Sequence, residues 1–229
     1  GILKGIKEIP PAHYAYMTKD NFILQEYWKV EAEEFKESLS EAEEHLGYLL
    51  KSAITGQLIS DVPLCTFLSG GLDSSAISAI AAEEFKKHGK SLTTYSIDYE
   101  DNSKFFKSSA FQPSEDSYYI NQMREYIGSN HKSIVLDNKA LAQALYEATL
   151  ARDMPGMADI DSSLLLFCRE IKKDFVVALS GECADEIFGG YPWYRRKELI
   201  NAPPFPWSRS INERKAILDK HLENLPLEE

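Results

Sequence analysis

The sequence predicts an α/β protein in which a doubly wound, mainly parallel sheet is flanked by helices and preceded by a short N-terminal β-hairpin arm. From residue 61 onward, short apolar runs alternate with longer segments of helical periodicity, the pattern of parallel strands joined by crossover helices. Before residue 30, two aromatic-rich apolar runs flank the polar turn "TKDN". We therefore predict a hairpin arm over 1–30 and an α/β domain over 31–229.

The individual elements follow from periodicity and from helix start and stop signals. A long amphipathic helix is predicted over 29–57, although Gly47 weakens it. Ser114 is predicted to cap a helix after an irregular stretch, and Gly128 to end that helix. The hairpin strands are 13–17 and 22–28, the sheet strands are 62–68, 92–99, 132–136 and 174–180, and the other helices are 74–88, 115–127, 139–151, 161–173 and, after a Pro-rich loop, 211–229.

Composition and charge exclude several classes of protein. The formal net charge of -11 opposes binding to a phosphate backbone, so we expect no nucleic-acid partner. No apolar run approaches the length of a membrane span, and the N-terminus lacks the pattern of a signal peptide. The three cysteines, Cys65, Cys168 and Cys183, form no CxxC pair, and the histidines are scattered, so neither a disulfide framework nor a zinc site is expected. We therefore expect a cytoplasmic protein.

The loop "SGGLDSS" joins the first predicted strand of the sheet to its helix, at the edge where such sheets bind ligands. Its two glycines allow close backbone approach, its three serines supply hydroxyl donors, and the helix N-terminus attracts an anion. Asp73 would repel phosphate unless it holds Mg²⁺. The loop is interpreted as a pyrophosphate cradle, and the alternative is a glycine-rich turn that caps a helix. The candidate binding residues are Ser69, Gly70, Gly71, Asp73, Ser74 and Ser75.

A second loop with similar chemistry, "SGECADEIFGGY", follows the last predicted strand. It places Glu182, Asp185 and Glu186 close together beside apolar residues, which is unusual for a solvated acidic turn, the alternative interpretation. Asp185 is interpreted as a second ligand for Mg²⁺ on pyrophosphate. Glu182 is interpreted as a base or as a group that holds an incoming ammonium.

Taken together, the two loops resemble the motifs of the class B, glutamine-hydrolysing asparagine synthetase family, in its synthetase domain. The first loop alone resembles the PP-loop of ATP pyrophosphatases, which have an adenine nucleotide alpha hydrolase-like fold. The resemblance covers about 30–194 and implies ATP and Mg²⁺ as cofactors. It further implies an amide-forming ligase in which ATP adenylates the aspartate side chain with release of pyrophosphate. Ammonia then displaces AMP to give asparagine.

The resemblance also assigns roles to particular residues. Glu182 matches the glutamate that the family is proposed to use as base at the ammonia step, and Asp73 and Asp185 match the ligands of Mg²⁺-pyrophosphate. Cys183 replaces the glycine that is usual in the motif, a change that removes no ligand. The positions that match ATP contacts in the family are Leu68, Ile97, Ser180 and Gly181.

The identity of the acceptor stays open at this stage. The segment 151–167 occupies the family's acceptor-side region, and its aspartates either orient an amino group or act as helix caps and solvated loop residues. One rival is another PP-loop ligase, such as a β-lactam synthetase-type cyclase. A second rival is a non-catalytic nucleotide-binding module that kept the fold. The aspartates concerned are Asp153, Asp159 and Asp161.

The resemblance implies further parts that this sequence does not match. The family begins with a glutaminase domain whose nucleophile is an N-terminal cysteine, whereas this sequence begins at Gly1, in a segment that resembles the tail of that domain. A catalytic lysine is expected beyond the second motif, and motif grounds assign that role to none of Lys197, Lys215 and Lys220. We therefore expect a piece of a longer chain, weakly active or inactive alone. The glutaminase domain of the parent chain would be its partner, and a homodimer is compatible with the resemblance.

Overall fold

The N-terminal hairpin is present as predicted. The computed structural model describes residues 3–108 and 114–201, and the chain divides into two compact units, 1–48 and 49–229. In the first unit, β1 (His13–Met17) pairs antiparallel with β2 (Phe22–Glu26). The turn between them closes where the amide of Thr18 donates to the carbonyl of Asn21 at 2.8 Å. The predicted hairpin arm is therefore confirmed.

The first helix, α1, spans Leu39–Gln57, so the prediction of helix over 29–38 was wrong. The reason is a capping box at its start. The amide of Ser38 donates to Glu41 Oε2 at 2.8 Å, and the amide of Glu41 donates to Ser38 Oγ at 3.4 Å. These bonds satisfy groups that helix N-termini leave without partners, so they define a start that periodicity alone does not reveal.

The second unit is built on a four-stranded parallel sheet with the order β5-β4-β3-β6. The chain runs outward from β3 through β4 to β5 and then returns to place β6 on the other side of β3. The strand order therefore reverses between β3 and β6, which confirms the predicted doubly wound topology. The strands are β3 (Leu64–Phe67), β4 (Thr93–Tyr99), β5 (Asn130–Leu136) and β6 (Val177–Leu179).

Helices connect these strands near the predicted positions. Within the described residues, no helix is long and apolar enough to cross a membrane. Gly89 and Gly128, with φ of 67° and 65°, follow the ends of α2 and α4 as predicted. The predicted helix over 211–229 lies outside the described residues. The helices are α2 (Leu72–Lys87), α3 (Asn102–Phe105), α4 (Asp116–Ile127), α5 (Asn138–Arg152), α6 (Ala158–Ile171), α7 (Ala184–Phe188) and α8 (Lys197–Ile200).

Besides α1, the starts of α4 and α6 and one connection differ from the prediction. The N-cap of α4 is Glu115 rather than Ser114, and no side chain caps this helix. Helix α6 begins at Ala158, so Asp161 lies inside the helix and does not cap it. The short α3 falls in a stretch that the sequence predicts to be irregular. The shifts at α4 and α6 lie at element boundaries, where local signals are weakest, whereas α3 is an additional short helix.

Alternate residues of the central strands face two helical layers, as the pleat of a strand requires. Cys65 of β3 packs with α6 in one apolar cluster, and burial raises its pKa to about 11, so this thiol is inert. On the other face, Thr66 hydrogen-bonds Ser78 of α2 at 2.8 Å. The clusters that cover the two faces contain Cys65, Tyr95, Phe167 and Ile171 on one side, and Ala81, Ala82, Leu92 and Ile127 on the other.

Candidate functional site

The loop after β3 has a conformation that requires glycine. Leu68 is fully buried, and its amide donates to the carbonyl of Tyr95 at 2.8 Å, which holds the chain against β4 up to the loop. Gly70 has φ of 84°, and an added Cβ would lie 2.9 Å from the carbonyl oxygen of Asp116. Both the backbone angle and the neighbouring carbonyl exclude a side chain here. The loop is thus fixed between the sheet and the start of α4.

The serines of this loop hold it against the first turn of α2. The Ser69 amide donates to Ser74 Oγ at 3.1 Å, and the two hydroxyl oxygens are 2.9 Å apart. Ser74 Oγ also donates to the carbonyl of Gly71 at 3.2 Å. These hydroxyls therefore organise the loop itself. The first amides of α2, which have no partner within the helix, are left as the groups that an anion would meet.

The loop after β6 touches the first loop directly. An added Cβ on Gly181 would lie 3.0 Å from Asp73 Cβ and 3.1 Å from the amide nitrogen of Ser74. Because β3 and β6 are parallel neighbours, both loops leave the same edge of the sheet, at the point where the strand order reverses. This is the position at which open α/β sheets bind ligands.

Two carboxylates, those of Asp73 and Glu182, lie beside this junction. Asp73 lies in the first turn of α2, and with Glu182 it lines a cavity of about 310 Å³. Burial and then the negative charge of Glu182 raise the pKa of Cys168, so the Glu182 carboxylate lies near this thiol of α6. Asp185 occupies the first turn of α7 and packs against Gly190, whose amide donates to the Asp185 carbonyl at 2.9 Å. The apolar part of the cavity is formed by Leu50, Ile54, Ala76, Ile77, Leu179, Ala184, Ile187 and Phe188.

The Mg²⁺ site predicted from the sequence depends on two carboxylates, those of Asp73 and Asp185. Within 3–108 and 114–201, no group of three or more His, Cys, Asp or Glu side chains is arranged to hold a metal ion. Mg²⁺ commonly needs no such cage, because it binds through one or two carboxylates plus phosphate oxygens and water. Asp73 and Asp185 are the pair of carboxylates that the sequence predicts for this role, and they lie in the first turns of α2 and α7.

A second cavity, of about 270 Å³, opens beside Ser69 at the ends of β3 and β4. It is lined by Leu68 and Ile97, two of the residues that the resemblance predicts to contact ATP. A mostly apolar cavity with a few polar groups is the usual form of a small-molecule site. The other apolar walls are Phe67, Tyr95, Ile120, Ile160, Leu164 and Phe167, and the polar side chains are Ser69, Ser96, Tyr99, Asp116 and Ser163.

Four of these polar residues, Ser96, Tyr99, Asp116 and Ser163, are not identified by sequence reasoning. They belong to β4, α4 and α6, so nothing in the local sequence connects them. One usable signal exists, since Tyr99 ends a predicted strand and Asp116 starts the helix that follows. Both therefore fall at the carboxyl edge of the sheet, where ligands are expected.

The aspartates of the acceptor-side region are used in different ways. Asp161 forms an ion pair with Arg152 at 2.6 Å, which contradicts its interpretation as a helix cap. Asp153 ends α5 in the left-handed conformation, with φ of 59°, and is exposed. The side chain of Asp159 is outside the described part of the structure. Lys197 is exposed at the start of α8, whereas Lys215 and Lys220 lie beyond the described residues.

The fold and the two adjoining loops define a doubly wound α/β protein with a candidate ligand site at the carboxyl edge of its sheet. The family model of asparagine synthase matches residues 45–228. The chain therefore belongs to the asparagine synthase family, which confirms the resemblance seen in its motifs.

Two curated relatives agree with this membership. Over 231 residues the chain is 55% identical to asparagine synthetase [glutamine-hydrolyzing] 3 of Bacillus subtilis, covering 100% of this chain and 37% of that protein. It is 29% identical over 164 residues to the asparagine synthetase [glutamine-hydrolyzing] of Cricetulus griseus, covering 69% and 27%. Among solved structures, it is similar to an NAD+ synthetase from Burkholderia pseudomallei, with a TM-score of 0.36, 12% identity, and coverage of 85% and 87%. The chain thus spans well under half the length of these two curated relatives.

Proposed function

We propose that this chain is the ATP-binding synthetase region of a glutamine-dependent asparagine synthetase. The observation that carries the proposal is the contact of Gly181 with Asp73 and Ser74, since it joins the two loops into one site. The glycine-serine loop and a helix N-terminus form one side of that site, and the acidic loop forms the other. This arrangement suits a triphosphate accompanied by Mg²⁺.

In the proposed complex, the base of ATP occupies the cavity beside Leu68 and Ile97, and its phosphates meet the first amides of α2. Asp73 and Asp185 would hold Mg²⁺, which when bound offsets the charge that develops on the departing pyrophosphate. The side-chain carboxylate of aspartate attacks the α-phosphorus, forming β-aspartyl-AMP and releasing pyrophosphate. Ammonia then attacks the acyl carbon, AMP leaves, and Glu182 accepts the proton that the nitrogen loses.

The substrates and the setting of this reaction are part of the same proposal. Ammonia would come from glutamine hydrolysed by a glutaminase domain of the parent chain, in line with the names of the relatives. We further propose a cytoplasmic enzyme of asparagine biosynthesis.

Nucleotide binding is tested by calorimetry with ATP and Mg²⁺. The Asp73→Ala variant should bind about tenfold more weakly or worse, because a carboxylate ligand of Mg²⁺-pyrophosphate is lost. Asp61→Ala is the matched control, since this exposed aspartate precedes β3 whereas Asp73 follows it. Equal affinity of wild type and Asp73→Ala would contradict the assigned role of Asp73.

The proposed role of Glu182 predicts that its substitution slows the ammonia step and leaves adenylation nearly unchanged. In a single turnover of the parent enzyme with aspartate, ammonia and Mg-ATP, Glu182→Gln should release pyrophosphate within about threefold of the wild-type rate but form asparagine about a hundredfold more slowly. Product analysis also distinguishes asparagine from the cyclised product of a β-lactam synthetase-type enzyme. Equal loss of both half-reactions in Glu182→Gln would rule out a role confined to the ammonia step.

A further inference from the structure

We propose that Tyr99 makes the smaller of the two cavities, the one of about 270 Å³ beside Ser69, selective for a 6-amino purine over a 6-oxo purine. Ser163 is the positioning residue of Tyr99. This inference rests on the proposed nucleotide site and goes beyond it by naming the group that reads the base. The two side chains come from different elements, the end of β4 and the second turn of α6, and both line the cavity beside Ser69.

The hydrogen bond between the two residues fixes the direction of the tyrosine proton. Tyr99 Oη donates to Ser163 Oγ at 3.0 Å. Ser163 is only 6% exposed, so the acceptor end of this bond is buried in the packed layer between β4 and α6. A serine hydroxyl inside a helix can itself donate to the carbonyl one turn earlier, as Ser162 does to Ala158 at 2.7 Å.

The consequence for a ligand follows from counting protons. A phenol has a single O–H, and when Ser163 receives it, only the lone pairs of Tyr99 Oη remain for a bound molecule. Asp116, on the cavity wall, is likewise an acceptor when ionised. A ligand that presents an N–H donor to Tyr99 can therefore form a hydrogen bond with its oxygen. A ligand that presents a carbonyl oxygen would place one acceptor against another and form no hydrogen bond there.

The position of the cavity makes a purine base the relevant ligand. Ser69 belongs both to the cavity wall and to the loop that begins the phosphate cradle. A nucleotide with its phosphates at α2 can thus place its base among the apolar walls, with the base edge at Tyr99. Adenine carries an amino group at position 6, where hypoxanthine and guanine carry an oxo group. A site that hydrogen-bonds one group of a substrate rejects the analogue that lacks it far more strongly than an apolar site does.

The test compares the dissociation constants of ATP and ITP, because these nucleotides differ only in the group at position 6 and in the proton that the 6-oxo base carries on N1. Wild type should bind ATP at least about tenfold more tightly than ITP. Tyr99→Phe should reduce this ratio to about threefold or less, mainly through weaker ATP binding. Ser163→Ala frees the Tyr99 proton to donate to the oxo group, so ITP affinity should rise by about threefold or more.

Two variants serve as matched controls. Tyr118→Phe removes a hydroxyl from an exposed tyrosine that does not line the cavity, and Ser162→Ala removes the neighbouring buried hydroxyl of α6. Both should keep the wild-type ratio of ITP to ATP dissociation constants. A ratio near one in wild type, or an unchanged ratio in Tyr99→Phe, would overturn this inference and leave ATP binding standing. A wild-type protein without saturable ATP binding would overturn the proposed nucleotide site and this inference with it.

Discussion

At the scale of single residues, Cys183 stands out because its backbone is left-handed, with φ of 70° and ψ of 0°. The same position is glycine in the motif that the acidic loop resembles. A residue with a Cβ in this conformation costs roughly 1–2 kcal/mol. The strained residue lies between Glu182 and Asp185. The loop that carries the proposed base and a proposed ligand of Mg²⁺ is therefore held in an unfavourable conformation.

Replacing Cys183 by glycine should therefore stabilise the protein. We expect Cys183→Gly to raise the free energy of unfolding by about 1 kcal/mol, since the strain disappears while some flexibility is gained. Urea unfolding followed by circular dichroism measures the change. Cys183→Ala is the control, because it removes the thiol and keeps the Cβ, and it should give no such gain. A similar gain in both variants would mean that the thiol, and not the backbone angle, is unfavourable.

Gly181 is the residue whose size decides how closely the two loops approach. Gly181→Ala would place a Cβ against the backbone of α2, which cannot move aside cheaply, and should cost about 1–3 kcal/mol of stability. It should also weaken ATP binding by spreading the loops. Gly71→Ala is the matched control for stability, because φ is -74° and the nearest atom to its added Cβ is Ser69 Oγ, at an ordinary 3.5 Å. Thermal unfolding of both variants and calorimetry with ATP on Gly181→Ala provide the measurements, and equal destabilisation by the two substitutions would contradict this account.

At the scale of elements, a buried hydroxyl pair fixes α2 to the strand before it. Thr66 and Ser78 are both fully buried, and their oxygens are 2.8 Å apart. A buried hydrogen bond fixes the position of α2 along β3 more closely than an apolar contact would. Since the cradle lies between β3 and α2, this pair helps to set the position of the helix N-terminus.

The Ser78→Ala substitution should destabilise the fold by about 1–3 kcal/mol, because it leaves the buried Thr66 hydroxyl without its partner. The double variant Thr66→Val with Ser78→Ala removes both groups, and it should be less destabilised than the sum of the two single variants. A double-mutant cycle by urea unfolding measures the coupling between them. Simple additivity would show that the two hydroxyls do not depend on each other.

At the scale of the whole molecule, His131 links stability to pH. Its ring lies between two hydroxyls of β4, with Nδ1 2.9 Å from Thr94 Oγ1 and Nε2 3.1 Å from Ser96 Oγ. Burial, and then the positive charge of Arg124, lower the pKa of His131 below its usual value. The folded protein therefore binds a proton at this ring less readily than the unfolded chain does.

The resulting pH dependence has a definite sign. The contribution of His131 is full above the pKa of an unfolded histidine, about 6.5, and is lost as the pH falls through the lower pKa of the folded protein. We expect the stability of wild type relative to His131→Asn to decline between about pH 7.5 and pH 5.5. Urea unfolding of both proteins at the two pH values measures this difference. A stability difference that is constant over this range would contradict the prediction.

Much of this architecture could be predicted from the amino-acid sequence alone, because its signals are local. Apolar runs, helical periodicity and end signals such as Gly89 and Gly128 depend on residues close together in the chain. The two loops could be recognised for the same reason, since each carries its glycines and carboxylates within a few residues. Family membership follows from the loops and from the match over 45–228.

Only the tertiary structure decided which of these features meet. Strand order places β6 beside β3 and so brings Gly181 against Ser74, although no nearby residue encodes that pairing. The polar edge of the smaller cavity comes from three separate elements, so Tyr99 and Ser163 gain their relation only when β4 and α6 pack. The same limit applies to Asp161, whose partner Arg152 lies across a loop on another helix. Local sequence determines the conformation of each segment, whereas these contacts depend on the burial of apolar surface between distant segments.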